Sequence, residues 1–306
     1  MTTNIDGKYS RSDEWFESGG ARCAVAVFRP AAADADTPAV VMAHGFGTVR
    51  AFGLYAYADA FARAGYAVLV FDYRHFGDSD GEPRQLLDIR KQQDDWRRAV
   101  SYAHAKGYRR VVGWGTSFAG GHVLTLAGTG DYFTAIIAQV PHVDGIAAVK
   151  AAGLRHTARI FPLAVIDQAC ALLGRSPRYI NTVGNPGDIA VMVSSDAIPG
   201  RNRLQAASGL SDGQYPETVA ARILLRIWRY SPKRSAASIT CPALVQIMTD
   251  DAVTPAATAK RAAQKIPGAT VRIHTGGHFD PYVAPQFPVV VSEQLAFLNL
   301  HVPVRT

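Results

Sequence analysis

Short apolar runs alternate with longer amphipathic segments along most of this chain. The runs Ala39–Ala43, Tyr66–Phe71 and Ala135–Val140 are almost continuously apolar, as buried strands are. Between them, Leu54–Ala64 and Leu86–Lys106 carry apolar residues at helical spacing. Because the strands are apolar on both faces, the pattern predicts an α/β fold with a mostly parallel sheet covered by helices on both sides.

The same alternation is found at both ends of the chain. Lys8–Ser18 and Ala21–Phe28 flank a pair of glycines and predict an antiparallel hairpin. Ala243–Met248 and Ala269–His274 predict two more strands near the carboxyl end. Together with the strand that precedes Ser117, we expect an eight-stranded sheet.

Residues 142–238 interrupt the alternation. Their pattern is helical and rich in loops, and Thr218–Tyr230 has the periodicity of an amphipathic helix. Regular strand and helix signals resume after this stretch. We therefore predict an α/β core of residues 1–141 and 239–306, with a helical cap of residues 142–238 inserted over the edge of the sheet.

Charge does little to suggest a macromolecular partner. The 306 residues carry a net charge of +7. Residues 142–238 hold twelve Lys and Arg against six Asp and Glu, so six of those seven charges belong to the predicted cap. The positive residues are scattered rather than clustered with aromatic ones, which favours a solvated face over nucleic-acid binding.

The remaining composition indicates an ordinary globular protein. No apolar run is long enough to span a bilayer, and residues 1–8 lack an apolar signal core, so we expect no membrane association. Cys23, Cys170 and Cys241 are too few and too widely spaced for a disulfide framework or a metal site. We expect a cytoplasmic protein without a cofactor or metal, and a homodimer is compatible with the sequence.

The segment Gly115-Thr116-Ser117-Phe118-Ala119 carries the first chemical signal. It lies between a predicted strand and a predicted helix, with small residues two before and two after the serine. A strand that turns directly into a helix holds its serine in strained geometry, and only small neighbours fit around it. The pattern also occurs by chance in tight strand-to-helix turns, so alone it is a weak signal.

Three further motifs follow predicted strands. His44–Gly47 forms a turn that can aim a backbone N–H at a developing oxyanion, Asp250-Asp251 follows the strand Ala243–Met248, and Gly276–Phe279 contains His278. Ligands bind at the carboxyl ends of strands in open α/β sheets. The chain order nucleophile, acid, histidine is the order of α/β-hydrolases.

With these motifs the sequence resembles the α/β-hydrolase superfamily, and within it the bacterial esterase branch of acetyl-xylan-esterase-like and S15-peptidase-like hydrolases. The resemblance implies an α/β-hydrolase fold in which Ser117 is the nucleophile, His278 the base and Asp251 the acid. By analogy, the backbone N–H groups of Phe46 and Phe118 would form the oxyanion hole. The segments that carry it are His44–Gly47, Asp72–Ser79, Gly115–His122, Thr249–Pro255 and Gly276–Asp280.

Some alternatives stay open at this point. Asp250 competes with Asp251, Asp144 is a second rival for the acid, and His274 competes with His278. We interpret His44 as a residue that orders the oxyanion turn. We interpret His75, His122 and His142 as polar residues near strand ends or on helices, and we assign them no metal.

The sequence predicts a serine esterase that forms an acyl-enzyme with a small-molecule ester. A thioesterase acting on acyl-CoA or carrier-bound acyl groups, an amidase and a C–C hydrolase would use the same three side chains. A hydrolase fold reused as a receptor is the non-enzymatic alternative. We expect the cap to shape a substrate pocket, and its candidate lining residues are Leu172, Leu173, Leu224, Leu225 and Trp228.

Overall fold

The structure, a computed structural model, describes residues 2–305. The strands are β1 (Thr2–Ile5), β2 (Tyr9–Ser18), β3 (Ala21–Pro30), β4 (Ala39–Ala43), β5 (Ala67–Phe71), β6 (Val111–Thr116), β7 (Ala135–Gln139), β8 (Tyr179–Val183), β9 (Ala190–Met192), β10 (Thr218–Ala220), β11 (Ala243–Met248) and β12 (Thr270–His274). The α-helices are α1 (Leu54–Arg63), α2 (Ile89–Ala105), α3 (Phe118–Ala127), α4 (Gly145–Ala152), α5 (Leu154–Leu172), α6 (Ala197–Ala207), α7 (Leu224–Ile227), α8 (Ala256–Ala263) and α9 (Gln286–His301).

The central sheet runs in the order β1-β2-β3-β5-β4-β6-β7-β11-β12. Strands β5, β4, β6, β7, β11 and β12 are parallel to one another, while β1, β2 and β3 pair antiparallel. Every residue of β4, β5, β6, β7 and β11 is buried, because helices cover both faces. The predicted fold class, a mostly parallel α/β-hydrolase sheet, is confirmed.

The sheet has nine strands among residues 2–305, one more than expected. The additional strand is β1, which pairs antiparallel with β2 through a turn at Asp6-Gly7, where both residues have positive φ. Thr2, Thr3 and Asn4 are polar and exposed, so no apolar alternation marks this strand in the sequence.

Helix α2 begins later than its periodicity suggested. Asp88 caps it by accepting hydrogen bonds from Arg90 N and Lys91 N, at 3.0 Å and 3.1 Å. Residues Leu86 and Leu87 therefore belong to the preceding loop. The helix ends just before Gly107, whose φ of 96° lets the chain reverse.

The segment between β7 and β11 is not purely helical, contrary to the expectation. Strands β10, β8 and β9 form a second, three-stranded sheet within it. The predicted single helix over Thr218–Tyr230 is instead β10, a 3₁₀ turn at Ala221–Ile223 and the short α7. Here pairing with β8 outweighs helical periodicity. We keep the division into a core of residues 1–141 and 239–306 and a cap of residues 142–238 as a proposal.

A buried ion pair holds α5 against the rest of the cap. The Asp167 carboxylate is fully buried and contacts Arg222 Nε at 2.7 Å and Nη2 at 3.0 Å. It also accepts hydrogen bonds from Arg178 N and Arg222 N, at 2.7 Å and 2.8 Å. These four bonds hold the pKa of Asp167 below its ordinary value despite burial. The carboxylate therefore joins α5, the entry to β8 and the 3₁₀ turn after β10.

No helix within residues 2–305 is long and apolar enough to cross a membrane.

We predict that Asp167→Ala lowers the free energy of unfolding by about 3 kcal/mol or more, because it leaves the Arg222 guanidinium without its carboxylate partner beside a buried cavity. Urea unfolding followed by circular dichroism measures this loss. Asp94→Ala removes an exposed carboxylate paired with Arg97 and serves as the control, with an expected change under about 1 kcal/mol. Equal losses in both variants would contradict the anchoring role of Asp167.

Candidate active site

Ser117 lies at the junction of β6 and α3 in strained backbone geometry. Its φ is 54° and its ψ is −117°, a region that non-glycine residues rarely occupy. Ser117 N donates to Gln139 O at 2.9 Å, and Ser117 O accepts from His142 N at 2.8 Å. These two bonds tie the turn to β7 and to the segment that follows it, and they hold Ser117 in this conformation.

The turn is possible because its neighbours lack side chains. A Cβ at Gly115 would overlap the carbonyl oxygen of Ala119, and a Cβ at Gly120 would come within 2.9 Å of Pro141 Cβ. Across the site, a Cβ at Gly45 would lie 3.0 Å from Ser117 Cβ. The small residues therefore let three backbone segments converge on one serine.

Ser117, His278 and Asp251 form a hydrogen-bonded chain. Ser117 Oγ lies 3.0 Å from His278 Nε2, and His278 Nδ1 lies 2.7 Å from Asp251 Oδ2. All three residues are at least nine-tenths buried. Because a carboxylate accepts, Nδ1 carries the proton and donates it to Asp251. The lone pair on Nε2 then faces the Ser117 hydroxyl, which is the arrangement a general base requires.

The Asp251 carboxylate is itself held in place. Its Oδ1 accepts from Val253 N at 2.9 Å and Thr254 N at 2.7 Å, and its Oδ2 accepts from Thr254 Oγ1 at 2.8 Å. The Thr254 hydroxyl also lies 3.5 Å from His278 Nδ1. The turn after β11 thus orients the carboxylate toward the imidazole.

The structure gives the three rival residues other contacts. Asp250 is exposed and accepts from Gly276 N at 3.2 Å, joining the loops after β11 and β12. Asp144 caps α4 through Ile146 N and pairs with Lys233. His274 Nε2 lies 3.0 Å from Glu293 Oε2. None of the three touches Ser117 or His278 through a hydrogen bond within residues 2–305.

The two backbone groups expected to bind an oxyanion flank Ser117. Phe118 is the first residue of α3, so its N–H has no acceptor within the helix and carries the positive end of the helix dipole. Phe46 follows Gly45 on the loop after β4, the segment that approaches Ser117. The two phenyl rings meet edge to face with centroids 5.6 Å apart.

Charged and polar groups beneath this loop hold it from behind. His44 Nδ1 lies 3.1 Å from Gly45 O, and burial lowers the pKa of His44 to about 3, so its ring is neutral. Asp72 accepts from Arg50 N at 2.7 Å and Asp78 N at 3.2 Å. Burial raises the pKa of Asp72 to about 6, against the opposing charge of Arg50. The motif Asp72–Ser79 thus supports the loop that carries Phe46.

Two more buried histidines pack around Phe118. His122 lies between Gln92 Oε1 and the Tyr230 hydroxyl, at 3.0 Å and 2.8 Å, and the His142 ring stacks on Tyr230 with centroids 5.7 Å apart. Burial lowers the pKa of His122 to about 3 and that of His142 to about 4, so both rings are neutral. Both are polar residues that pack around the turn at Ser117. No group of three His, Cys, Asp or Glu within residues 2–305 is arranged to hold a metal.

Two chambers open onto Ser117. The large chamber encloses about 1140 Å³, part of it open to solvent, and its walls are mainly apolar. Two polar atoms on its lining residues, His142 Nε2 and Ser194 Oγ, are buried without a partner among residues 2–305. The other residues that line it are Phe46, Phe118, Ala148, Val149, Ala151, Ala152, Thr157, Ile160, Phe161, Val191, Met192, Val193, Leu224, Ile227, Ala252, Val253 and Thr254.

The small chamber, of about 630 Å³, lies on the other side of Phe46 and Met192, which line both spaces. It reaches His278 and the ion pair between Arg201 and Glu217. Its remaining lining residues are His44, Gly45, Gly47, Thr48, Phe52, Leu54, Thr116, Ser117, Thr182, Val183, Leu204, Phe279 and Tyr282.

Of the five cap residues predicted to line a pocket, only Leu224 does so. Leu172, Leu173 and Trp228 point outward with 80%, 67% and 47% of their surface exposed, and Leu225 lies outside both chambers. The prediction was wrong for these four because the phase of α5 turns Ile160 inward instead. Leu225 and Trp228 were placed on a helix over Thr218–Tyr230 that does not form.

Sequence reasoning missed most of the chamber wall. Val191 and Met192 belong to the short β9 and Val193 and Ser194 follow it, while Ala148, Val149, Ala151 and Ala152 lie on α4. Neither segment has a periodicity that distinguishes a chamber wall from ordinary packing.

The fold and this site define an α/β-hydrolase, and comparisons with known proteins agree. A family model described as X-Pro dipeptidyl-peptidase (S15 family) matches residues 19–181, more than half of the chain. The chain therefore belongs to the S15 family of the α/β-hydrolase superfamily.

Among curated relatives, the quorum-quenching protein AidA of Acinetobacter baumannii is 40% identical over 296 residues, which is 96% of each chain. The thiohydrolase aneE of Aspergillus aculeatus is 34% identical over 114 residues, 36% of each chain. Among solved structures, the α/β-hydrolase GrgF of Penicillium matches with a TM-score of 0.81 at 24% identity, over 96% of this chain and 99% of its own. This last likeness concerns the fold alone.

We predict that Gly115→Ala abolishes hydrolase activity, because the added methyl group overlaps the Ala119 carbonyl and must displace the Ser117 turn. Activity per folded enzyme, with circular dichroism as the measure of folding, tests this. Ala119→Gly is the matched control; it removes a methyl group from the same turn and should keep activity within about tenfold, at a stability cost of about 1 kcal/mol. An active Gly115→Ala enzyme would show that the turn tolerates a side chain there.

Proposed function

We propose that this protein is a serine hydrolase that cleaves a carboxylic ester through an acyl-enzyme intermediate. The observation that carries the proposal is the chain from Ser117 Oγ through the His278 ring to Asp251 at 3.0 Å and 2.7 Å. Ser117 also lines a mainly apolar chamber, the kind of site that accepts an acyl group.

In the first step Ser117 attacks the carbonyl carbon of the ester. His278 Nε2 takes the hydroxyl proton as the new C–O bond forms, and Asp251 stabilises the resulting imidazolium. The carbonyl oxygen becomes an oxyanion beside the N–H groups of Phe46 and Phe118. Donors of this kind act on charge that develops only in the transition state, and each is worth roughly 10²–10³ in turnover.

In the second step the tetrahedral intermediate collapses. The imidazolium gives its proton to the leaving oxygen, the C–O bond to the alcohol breaks, and Ser117 is left acylated. Water then repeats the sequence with His278 as base, releasing the carboxylic acid. The His278 ring is therefore neutral again, with a free lone pair on Nε2, at the end of each turnover.

We place the two halves of the substrate in the two chambers. His278 lines the small chamber and not the large one. The leaving oxygen must receive its proton from His278, so we assign the leaving group to the small chamber and the acyl chain to the large one. A small leaving group and a large apolar acyl group are the expected preference.

The curated relatives suggest which ester to test. The AidA relative is named for quorum quenching, and a hydrolase would silence an acylated lactone signal by opening its cyclic ester. In a lactone the leaving alcohol is short and tethered, which suits the small chamber. The thiohydrolase relative favours a thioester as the second candidate, since the same three residues serve either leaving atom. An amidase or C–C hydrolase is a third.

We also propose a cytoplasmic location, which the cysteines support. Cys23, Cys170 and Cys241 form no disulfide, and the first two are buried.

We predict that Ser117→Ala abolishes ester hydrolysis and labelling by a fluorophosphonate probe, with a loss on the order of 10⁶ in turnover. Asp251→Asn should lose roughly 10⁴, because it favours the wrong tautomer of His278. Asp250→Asn is the matched control one residue away and should keep turnover within about tenfold. If the Ser117→Ala variant turned over the ester at close to the parent's rate, Ser117 would not be the nucleophile. If the fluorophosphonate probe still labelled this variant, the reactive group would lie elsewhere.

We predict that Leu224→Trp shifts the preferred substrate to shorter acyl chains, because the indole fills part of the large chamber. The measurement is kcat/KM across p-nitrophenyl esters, N-acyl lactones and acyl-CoA thioesters of graded chain length. Trp228→Ala changes a residue that lies outside both chambers and should leave the profile unchanged. A profile of Leu224→Trp that matches the parent would contradict the assignment of the acyl chain to this chamber.

A further inference from the structure

Helix α5 carries a continuous apolar stripe on its solvent side. Its members are Leu154, Ala158, Phe161, Val165, Ala169 and Leu172, all exposed, with Leu172 at 80% and Leu154 at 75% of their full surface. Soluble proteins rarely leave a contiguous apolar patch of more than a few hundred Å² in water. The opposite side of the helix is already packed against the protein, since Ile160, Ala164 and Asp167 are buried.

The spacing of the stripe is that of a helix-packing seam. Each member follows the previous one by three or four residues, so the stripe runs straight along the whole of α5. The alanines Ala158 and Ala169 leave room between the large residues for the side chains of a facing helix. All six positions of the stripe are uncharged. The flanking charges, Arg155, Arg159 and Arg175, lie to the side of the seam or beyond its end.

The seam is complementary to itself when it is reversed. Suppose that two copies of α5 lie antiparallel and cross at the level of position 163. Leu154 then meets Leu172 of the other copy. Phe161 then meets Val165, and the alanines come opposite each other to within one residue. Such a pairing, in which residue i contacts j and j contacts i, is the requirement of a two-fold interface.

The seam supplies much of the area that a dimer needs. A large apolar side chain covers on the order of 200 Å². The four large seam residues, Leu154, Phe161, Val165 and Leu172, are between 47% and 80% exposed. They present on the order of 500 Å², more than half of the ~800 Å² per partner of a stable interface.

We propose that the protein is a two-fold dimer in which α5 packs antiparallel against α5 of a second copy. Phe161 lines the large chamber and lies at the centre of the seam, so the partner's helix would pack against one residue of the chamber wall. The partner's helix would thus support the outer wall of that chamber. This proposal does not rest on the proposed chemistry, because its readout is molecular mass.

Sedimentation velocity of the full chain over a range of concentrations tests the dimer. The parent should sediment at twice the chain mass of 32.9 kDa. Val165→Glu places two carboxylates in the seam and should weaken the dimer at least ~30-fold, the effect expected of a central interface residue. Val289→Glu on α9 is the matched control, since Val289 is 46% exposed and Val165 is 47% exposed. It should remain dimeric, and circular dichroism should show both variants folded.

Charge pairing tests the register. Leu154→Lys and Leu172→Glu should each sediment as a monomer alone, because each places its charge against a leucine. Mixed in equal amounts they should restore a dimer, since the introduced lysine of one chain would face the introduced glutamate of the other in the antiparallel arrangement.

Three outcomes would overturn the proposal. A parent that stays monomeric, with α5 binding vesicles of anionic lipid instead, would assign the stripe to a membrane surface. A Val165→Glu chain that dimerises as the parent does would place the interface elsewhere. Failure of the mixed charge variants to associate would exclude the antiparallel register. A parent protein without esterase activity would contradict the proposed function, but it would not change these measurements of association.

Discussion

The backbone of Ser117 is the constraint on which the site depends. With φ at 54°, the residue turns β6 directly into α3, so its hydroxyl leaves the sheet while the N–H of Phe118 opens the helix beside it. Strain of this kind persists only where the surroundings enforce it. Here the enforcing contacts are backbone bonds to Gln139 and His142 and the close approach of Gly45. The proposed nucleophile and one proposed oxyanion donor are therefore oriented by the same turn.

The buried polar groups around that turn divide into two kinds. His278 is joined to Asp251 and Ser117 in a hydrogen-bonded chain, which our proposed mechanism uses to move a proton. The other buried rings have a different role. Burial depresses the pKa of His44 and of His142, which keeps them neutral and lets them pack beneath the loop and the helix as uncharged bodies. A charge on either ring would carry a large desolvation cost and would weaken the packing that supports the turn.

The cap uses opposite faces of α5 for different tasks. The inner face carries Asp167, whose four hydrogen bonds fix the helix to the rest of the cap, and Ile160, which lines the large chamber. The outer face carries the apolar stripe. Since Phe161 touches both the chamber and the stripe, a second copy packed on that face would restrict the movement of the chamber wall. Substrate shape and assembly would then depend on one helix.

Local pattern alone determined the parallel sheet, the positions of its main strands along the chain and the positions of the loops that carry Ser117, Asp251 and His278. Apolar runs and small residues act over a few positions, so they can be recognised without a structure. Local pattern did not reveal β1, whose residues are polar, or the strands β8 to β10, which form by pairing over long separations. The choice between Asp250 and Asp251 rested on a family resemblance, whereas the structure sets one carboxylate against His278 and the other in solvent. The faces of α5 were assigned wrongly from the sequence, because Leu172 and Ile160 are equally apolar. Only the packing of the helix against Arg222 and the 3₁₀ turn decides which of its sides faces the chamber.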